Sequence, residues 1–132
     1  MFTSSRLERF GDLQRAFGAG DPDALAAVLH PDFEIEQPAS FPHGGRHRGL
    51  AGMAEMGRTF AEHWDRTIEA PVVRDAGDVV VQVTTQTWTS KATGRSATVD
   101  VVELVSFADD RVREIRVFQQ DTHALLATLE EH

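Results

Sequence analysis

The chain contains no cysteine, no tyrosine and no asparagine. Without a thiol it forms no disulfide, no thiolate nucleophile and no thiolate metal site. Cationic side chains are also scarce: 13 Lys plus Arg against 21 Asp plus Glu leave a formal net charge of −8. Nucleic-acid phosphates and anionic lipid surfaces attract the opposite balance. The partner this implies is a small apolar molecule or a second copy of the chain, with no nucleic acid and no membrane. No apolar run approaches the roughly 20 residues of a bilayer span, and "MFTSSRLERFGDLQ" lacks the apolar stretch of a signal peptide, so the cytoplasm is the expected location. What is there, 132 residues of which 41% are hydrophobic and 26% charged, fits one soluble domain over residues 1–132 with one core.

Two kinds of periodicity divide the chain. Leu7, Phe10, Leu13 or Gln14, and Phe17 fall at helical spacing after a cap at Ser4 or Ser5, and "GAGD" stops that helix. Asp21 followed by Pro22 is the start signal of a second, short helix that runs to Pro31. "DFEIEQP" alternates as a strand, with Phe33, Ile35 and Gln37 on one row, and Leu50, Met53, Gly57, Phe60 and Trp64 mark a longer third helix. After Trp64 the period falls to two. Strands are predicted at 67–74, 79–90, 96–107 and 112–120, joined by "DAGD", "KATG" and "ADD", connections so short that neighbours must be antiparallel. A last helix, capped by Asp121 or Thr122, carries Leu125, Leu126 and Leu129. Helices first and a meander after describe an α+β fold with helices on one face of a curved sheet.

The sharpest chemical signal is Glu103. It interrupts the row Val99, Val101, Val105, Phe107, which is otherwise fit for a core. A carboxyl in a water-poor cavity must be neutral or paired, and a raised pKa suits it to proton transfer near neutrality. The alternative is an ordinary Glu bridged to a cation at the rim.

"EQPASFPHGGRHRG" (36–49) admits three readings. His43 and His47 have the spacing of two metal ligands on a helix, yet Pro42, Gly44 and Gly45 forbid a helix there, so no metal and no other cofactor is expected. The glycines with Arg46 and Arg48 loosely suit a phosphate cradle. The third reading is a tight crossing at a cavity mouth, with His43 placed to touch a ligand. On the 79–90 strand, Gln82, Thr84, Gln86 and Trp88 share one face opposite Val79, Val81 and Val83, and alternation alone does not decide which face looks inward.

The order and spacing of "FGAGDPDALAAVLHPDFEIEQP", "FPHGGRHRGLAGM", "TGRS" and "RVREIRVFQQDTHALL" resemble the NTF2-like superfamily in its SnoaL-like branch, with ketosteroid isomerases and polyketide cyclases among the relatives. The resemblance implies a cone-shaped, mostly antiparallel curved sheet (a cystatin-like α+β barrel) packed against three to four helices, an apolar pocket, and a homodimer formed through the outer sheet face. It implies no single activity. It turns the even row of 79–90 inward. It also marks departures. The isomerase tyrosine falls near Leu13, the proton-shuttling carboxylate at Gln37, the hydrolase Arg and Asp at Thr84 and Gln86, and the cyclase Asp at Val117 or Phe118. The expectation is therefore an apolar pocket for a cyclic, polyketide- or steroid-like molecule. Glu103 and His43 are its candidate catalytic groups, and Gln37, Phe33, Ile35, Trp88, Gln86, Val101, Phe118, Phe60 and Trp64 line it. Cofactor-free isomerisation or cyclisation is one use of such a pocket, and non-catalytic binding is the alternative.

Overall fold

A computed structural model describes residues 5–130. Helix α1 spans Ser5–Ala19 and ends where Gly20 takes a positive φ of 61°, a conformation glycine adopts without a Cβ clash. The Ser4 cap lies outside the described residues. In α2 (Pro22–Val28) Asp21 caps as its sequence position predicts, accepting from the amides of Asp23 at 3.1 Å and Ala24 at 3.2 Å, with Pro22 in the first turn. Strand β1 (Leu29–Gln37) begins earlier than its alternation suggested, and β2 (Gly45–Arg48) is a short strand that the crossing segment did not announce. Helix α3 covers Gly49–His63.

The meander follows as β3 (Trp64–Asp75), β4 (Val79–Ser90), β5 (Ser96–Ala108) and β6 (Arg111–Gln119), and α4 (Thr122–Ala127) opens on the Asp121 side chain. Trp64 is a correction. It closes α3 as its C-cap and starts β3, so it belongs to the strand face and not to the helical stripe.

The six strands form one curved, unclosed sheet in the order β2-β1-β6-β5-β4-β3, antiparallel except for β1 beside β6. Expected strand phases hold through β4 and β5: every even residue of β4 from Val80 to Ser90 is buried, while the odd ones are half-buried. The α+β class and the NTF2-like layering match the expectation, although the sheet does not close into a barrel. Helices α1 and α3 cover its inner face. The core runs from Phe10 and Leu13 through Phe33, Val80, Val105 and Val112 to Leu125, each at most 4% exposed. β3 is the opposite case. Apart from Trp64 and Val73 its residues are exposed along the sheet edge, and Ala70, at φ 50°, marks the register shift between Glu69 and Val72 that bends it.

Candidate active site

Between the inner sheet face and helices α1 and α3 lies a cavity of about 780 Å³. Its two ends are set by β4. Gln82 and Trp88 both line it, and the six residue steps from one to the other span roughly 20 Å of strand contour at about 3.3 Å each.

The Trp88 end is aromatic. "FPHGG" turns so tightly that the amide of Gly44 donates to the Phe41 carbonyl at 2.9 Å, and a Cβ on Gly44 would stand 2.4 Å from the Pro38 carbonyl oxygen. Only glycine fits, and the turn sends both Phe41 and His43 inward. The His43 ring stacks on Phe41 (centroids 5.0 Å apart, 10° between planes) and meets Phe60, Trp64 and Trp88 within 5.9 Å. His43 is 3% exposed, and its Nδ1 is buried with no hydrogen-bond partner. Burial above all, with the nearby Arg66, His47 and His63, lowers its pKa to about 4, so the ring is neutral at pH 7. Both indoles are oriented by their N–H groups. Trp88 donates to Gln86 Oε1 at 2.9 Å, Gln86 donates in turn to Thr84 at 3.0 Å, and Trp64 donates to Thr128 at 2.8 Å.

The Gln82 end carries amides and one acid. Glu103 stands between Gln82 on β4 and Val117 on β6, all three on the inner face. Gln14 of α1 donates to Gln82 Oε1 at 2.6 Å, which leaves the Gln82 amide N–H to reach Glu103 at 3.5 Å. Burial pushes the Glu103 carboxyl above the usual range, while the Arg66 charge and the Gln82 amide pull it back. Gln37 sits nearby in two long contacts, donating to Met56 Sδ and accepting from Gln119, each at 3.5 Å.

Among the expected site residues, Glu103, His43, Gln37, Ile35, Trp88, Gln86, Val101, Phe60 and Trp64 line this one cavity. Glu103 and His43, however, face it from opposite ends. Two placements need correction. Phe33 lies on the inward row but is 1% exposed within the closed core, because alternation sets the face of a residue and not its depth along the strand. Phe118 faces outward, 42% exposed with the Arg116 guanidinium 5.2 Å over its ring, since the β5–β6 register brings Val117 opposite Glu103 on the inner side.

The 36–49 stretch resolves as the crossing. His47 donates Nε2–H to the His43 carbonyl at 2.8 Å. Arg46 is held by Glu34, Glu36 and Glu114, Arg48 reaches Glu34 at 3.5 Å with its side chain exposed, and neither lines the cavity. Phe41, Gln14, Gln119 and Arg66 also line or support the cavity and were not anticipated. For Arg66 a signal existed: Trp64 and Arg66 share a strand face at period two, legible only once Trp64 is assigned to β3.

A curved sheet with helices on its inner face and one deep cavity between them defines an NTF2-like protein. The SnoaL-like domain family matches residues 8–115, and the chain belongs to that family. An NTF2-like protein of Burkholderia xenovorans is 30% identical, with 98% of this chain and 99% of that one covered and a TM-score of 0.85. TerC, crystallised with polyporic acid, is 26% identical over 97% of this chain and 100% of its own, with a TM-score of 0.80. A candidate polyketide cyclase of Pseudomonas putida shares the fold alone, at 16% identity over 98% of this chain and 100% of its own and a TM-score of 0.71. No curated protein matches the chain. No helix among the described residues is long and apolar enough to cross a membrane.

Proposed function

We propose that the chain binds a planar, cyclic organic molecule in this cavity and moves a proton on it, with Glu103 as the proton carrier. The observation that carries this reading is a carboxyl largely withdrawn from water on the wall of a cavity of about 780 Å³, whose one hydrogen bond among the described residues is a 3.5 Å amide contact. Desolvation makes its carboxylate a stronger base than a surface Glu. The ionised form takes a proton from carbon next to a ligand carbonyl. The C–H bond breaks, an O–H bond forms on Glu103, and the electron pair moves to the carbonyl oxygen as an enolate. Return of the proton to a different atom completes an isomerisation. Alternatively the enolate carbon attacks a second carbonyl of the same ligand, whose C=O π bond breaks to an alkoxide that takes the proton back from Glu103, closing a ring without an outside reactant. Trp88, Phe60, Trp64, Ile35 and Val101 would wall the ligand, Gln37 and Gln86 would offer amide hydrogen bonds, and neutral His43 would meet its far end. The crystallisation of TerC with polyporic acid supports a small organic ligand.

A panel of cyclic ketones and lactones in deuterated buffer tests it, because enolisation incorporates deuterium whatever the final product. Wild type should exchange at least one member, and Glu103→Gln should lose that exchange by about a hundredfold with its fold intact. Equal exchange by the two proteins rejects the role of Glu103.

Gln37 favours a second reading, a non-catalytic binding module: it places an amide where a second proton carrier would stand, and the only other acid on the wall, Asp65, faces Lys91 at 3.8 Å. That reading expects quenching of Trp64 and Trp88, the two tryptophans of the chain, by a ligand that undergoes no exchange. For either reading we propose a homodimer. Val81, Val83, Val102, Leu104 and Phe118 adjoin one another on the outer sheet face in register, an apolar patch fit for a second copy. Sedimentation as a monomer at micromolar concentration contradicts it.

A further inference from the structure

Four residues with ionisable acidic or strongly basic side chains line the cavity: Asp65, Arg66, Lys91 and Glu103. Asp65 and Lys91 face one another at 3.8 Å and cancel. Glu103 and Arg66 interact across the cavity, yet no ion pair within 4.0 Å and no hydrogen bond joins them, and Arg66 has no other such partner among the described residues. Its guanidinium instead lies over the face of Phe60, 4.8 Å from the ring centroid. The register explains the position. Arg66 on β3 pairs with Trp88 on β4, so both side chains project from the same sheet face toward the aromatic end, where the Arg66 guanidinium meets Phe60.

Carboxylates are plentiful in a chain with a net charge of −8, yet none is bonded to this cavity-lining guanidinium. Several arginines elsewhere are held by acids, Arg46 by Glu34, Glu36 and Glu114, Arg116 by Glu36 and Arg9 by Asp12; Arg58, Arg74, Arg111 and Arg113 have no such pair among the described residues, but none of these lines the cavity. A guanidinium on the wall of the cavity, carried by the exposed edge strand, seated on a ring and without an acid bonded to it, has five donors that no other side chain among the described residues takes up. Arginine on an aromatic face remains free to form charge-assisted hydrogen bonds in its own plane. Glu103 strengthens the case, since burial drives it toward the neutral acid and so reduces what it could offer Arg66 as a counter-charge.

We propose that Arg66 is an anion subsite, receiving a carboxylate, phenolate or enolate oxygen of an aromatic ligand whose ring lies among Phe60, Trp64 and Trp88. The proposal rests on the reading that the cavity holds a cyclic ligand, and it narrows that ligand to an organic acid. It does not need Glu103 to be a catalyst. A ligand anion beside Arg66 also favours the protonated form of Glu103, which can then donate to the same anion.

Two pairs of probes test it by calorimetry and by quenching of the cavity tryptophans: polyporic acid against its neutral dimethyl ether, and 2-naphthoate against its methyl ester. Wild type should bind the acid of at least one pair about tenfold or more tightly than its neutral partner, and Arg66→Met should erase that preference while leaving the neutral compound's affinity within about twofold. Arg66→Lys should keep part of the preference, which separates charge from packing. Wild-type protein that binds neither acid, or binds the neutral compound as well as the acid, overturns the subsite, as does an acid affinity unchanged in a folded Arg66→Met protein. Because the readout is binding, loss of the Glu103 exchange reading leaves a positive Arg66 result standing. Loss of the Arg66 preference, with Glu103-dependent exchange retained, removes the subsite alone.

Discussion

At the aromatic end of the cavity four rings close on His43, whereas at the other end Glu103 meets one amide at 3.5 Å and that amide is positioned by a second. Both titratable groups have lost water, and the loss works on them in opposite proton directions. The imidazole sheds its proton to become neutral, and the carboxyl keeps its proton to become neutral. The same physical cause therefore makes His43 a poor proton acceptor and Glu103 a better one. An acid-base role belongs to the amide end, and a shape-reading role to the aromatic end. That division is open to three tests of decreasing size.

The aromatic end carries the larger share of stability. Trp88 is 2% exposed and touches Phe41, His43, Phe60 and Trp64. Trp88→Ala should cost about 3–5 kcal/mol in urea denaturation, the range for truncating a large buried aromatic. Gln82→Ala, at the other end, removes an amide and should cost about 1–2 kcal/mol. Equal costs would break the comparison, because the amide end would then be as much a packing core as the aromatic end.

The pH dependence comes next. For His43 the folded value of about 4 lies below the ordinary 6.5, so the unfolded chain binds more protons between them. Its contribution is fully present above about pH 6.5 and is lost as pH falls toward 4, by about 3 kcal/mol at most. For Glu103 the folded value lies above 4.5, so the folded chain binds more protons, and stability is present below pH 4.5 and lost as pH rises through the folded value. His43→Phe should flatten the acidic side of the stability profile and Glu103→Gln the other side. Denaturation midpoints collected from pH 4 to 9 check both, and a variant that flattens the wrong side reverses the assignment.

Much of this architecture was legible because its signals are local. The Asp21-Pro22 cap, the alternation of 79–90 and 96–107, and a lone acid in an apolar row each state their structure within a few residues, and the structure agrees with them. The phase of Trp64 was not legible. A tryptophan at helical spacing after Phe60 continues the stripe equally well as a strand residue, and only pairing with Ser90 across the sheet decides. Arg66 was lost with it. Phe118 against Val117 is the same ambiguity, since one residue of register exchanges the two faces of a strand. The opposition of His43 and Glu103 is less accessible still, being a property of where β4 places two segments far apart in sequence.

The smallest effect isolates the amide end from packing altogether. Gln14 donates to Gln82 Oε1 at 2.6 Å, and this contact is what commits the other side of the Gln82 amide, its N–H, to Glu103. An N–H pointed at a carboxyl favours the ionised form, whereas an amide oxygen pointed at it favours the protonated form. In Gln14→Leu the Gln82 amide loses its anchor and is free to turn its oxygen toward Glu103, accepting from the neutral acid. The expected cost is about 1 kcal/mol in stability, with the pKa of Glu103 moved further upward as read from its carboxyl carbon resonance. The His43 ring, with no amide in its cage, should keep its titration unchanged. A Glu103 resonance that titrates as in wild type would show that burial alone governs the carboxyl, and that the Gln14–Gln82 contact is a clasp between α1 and β4 without electrostatic consequence for the acid beside it.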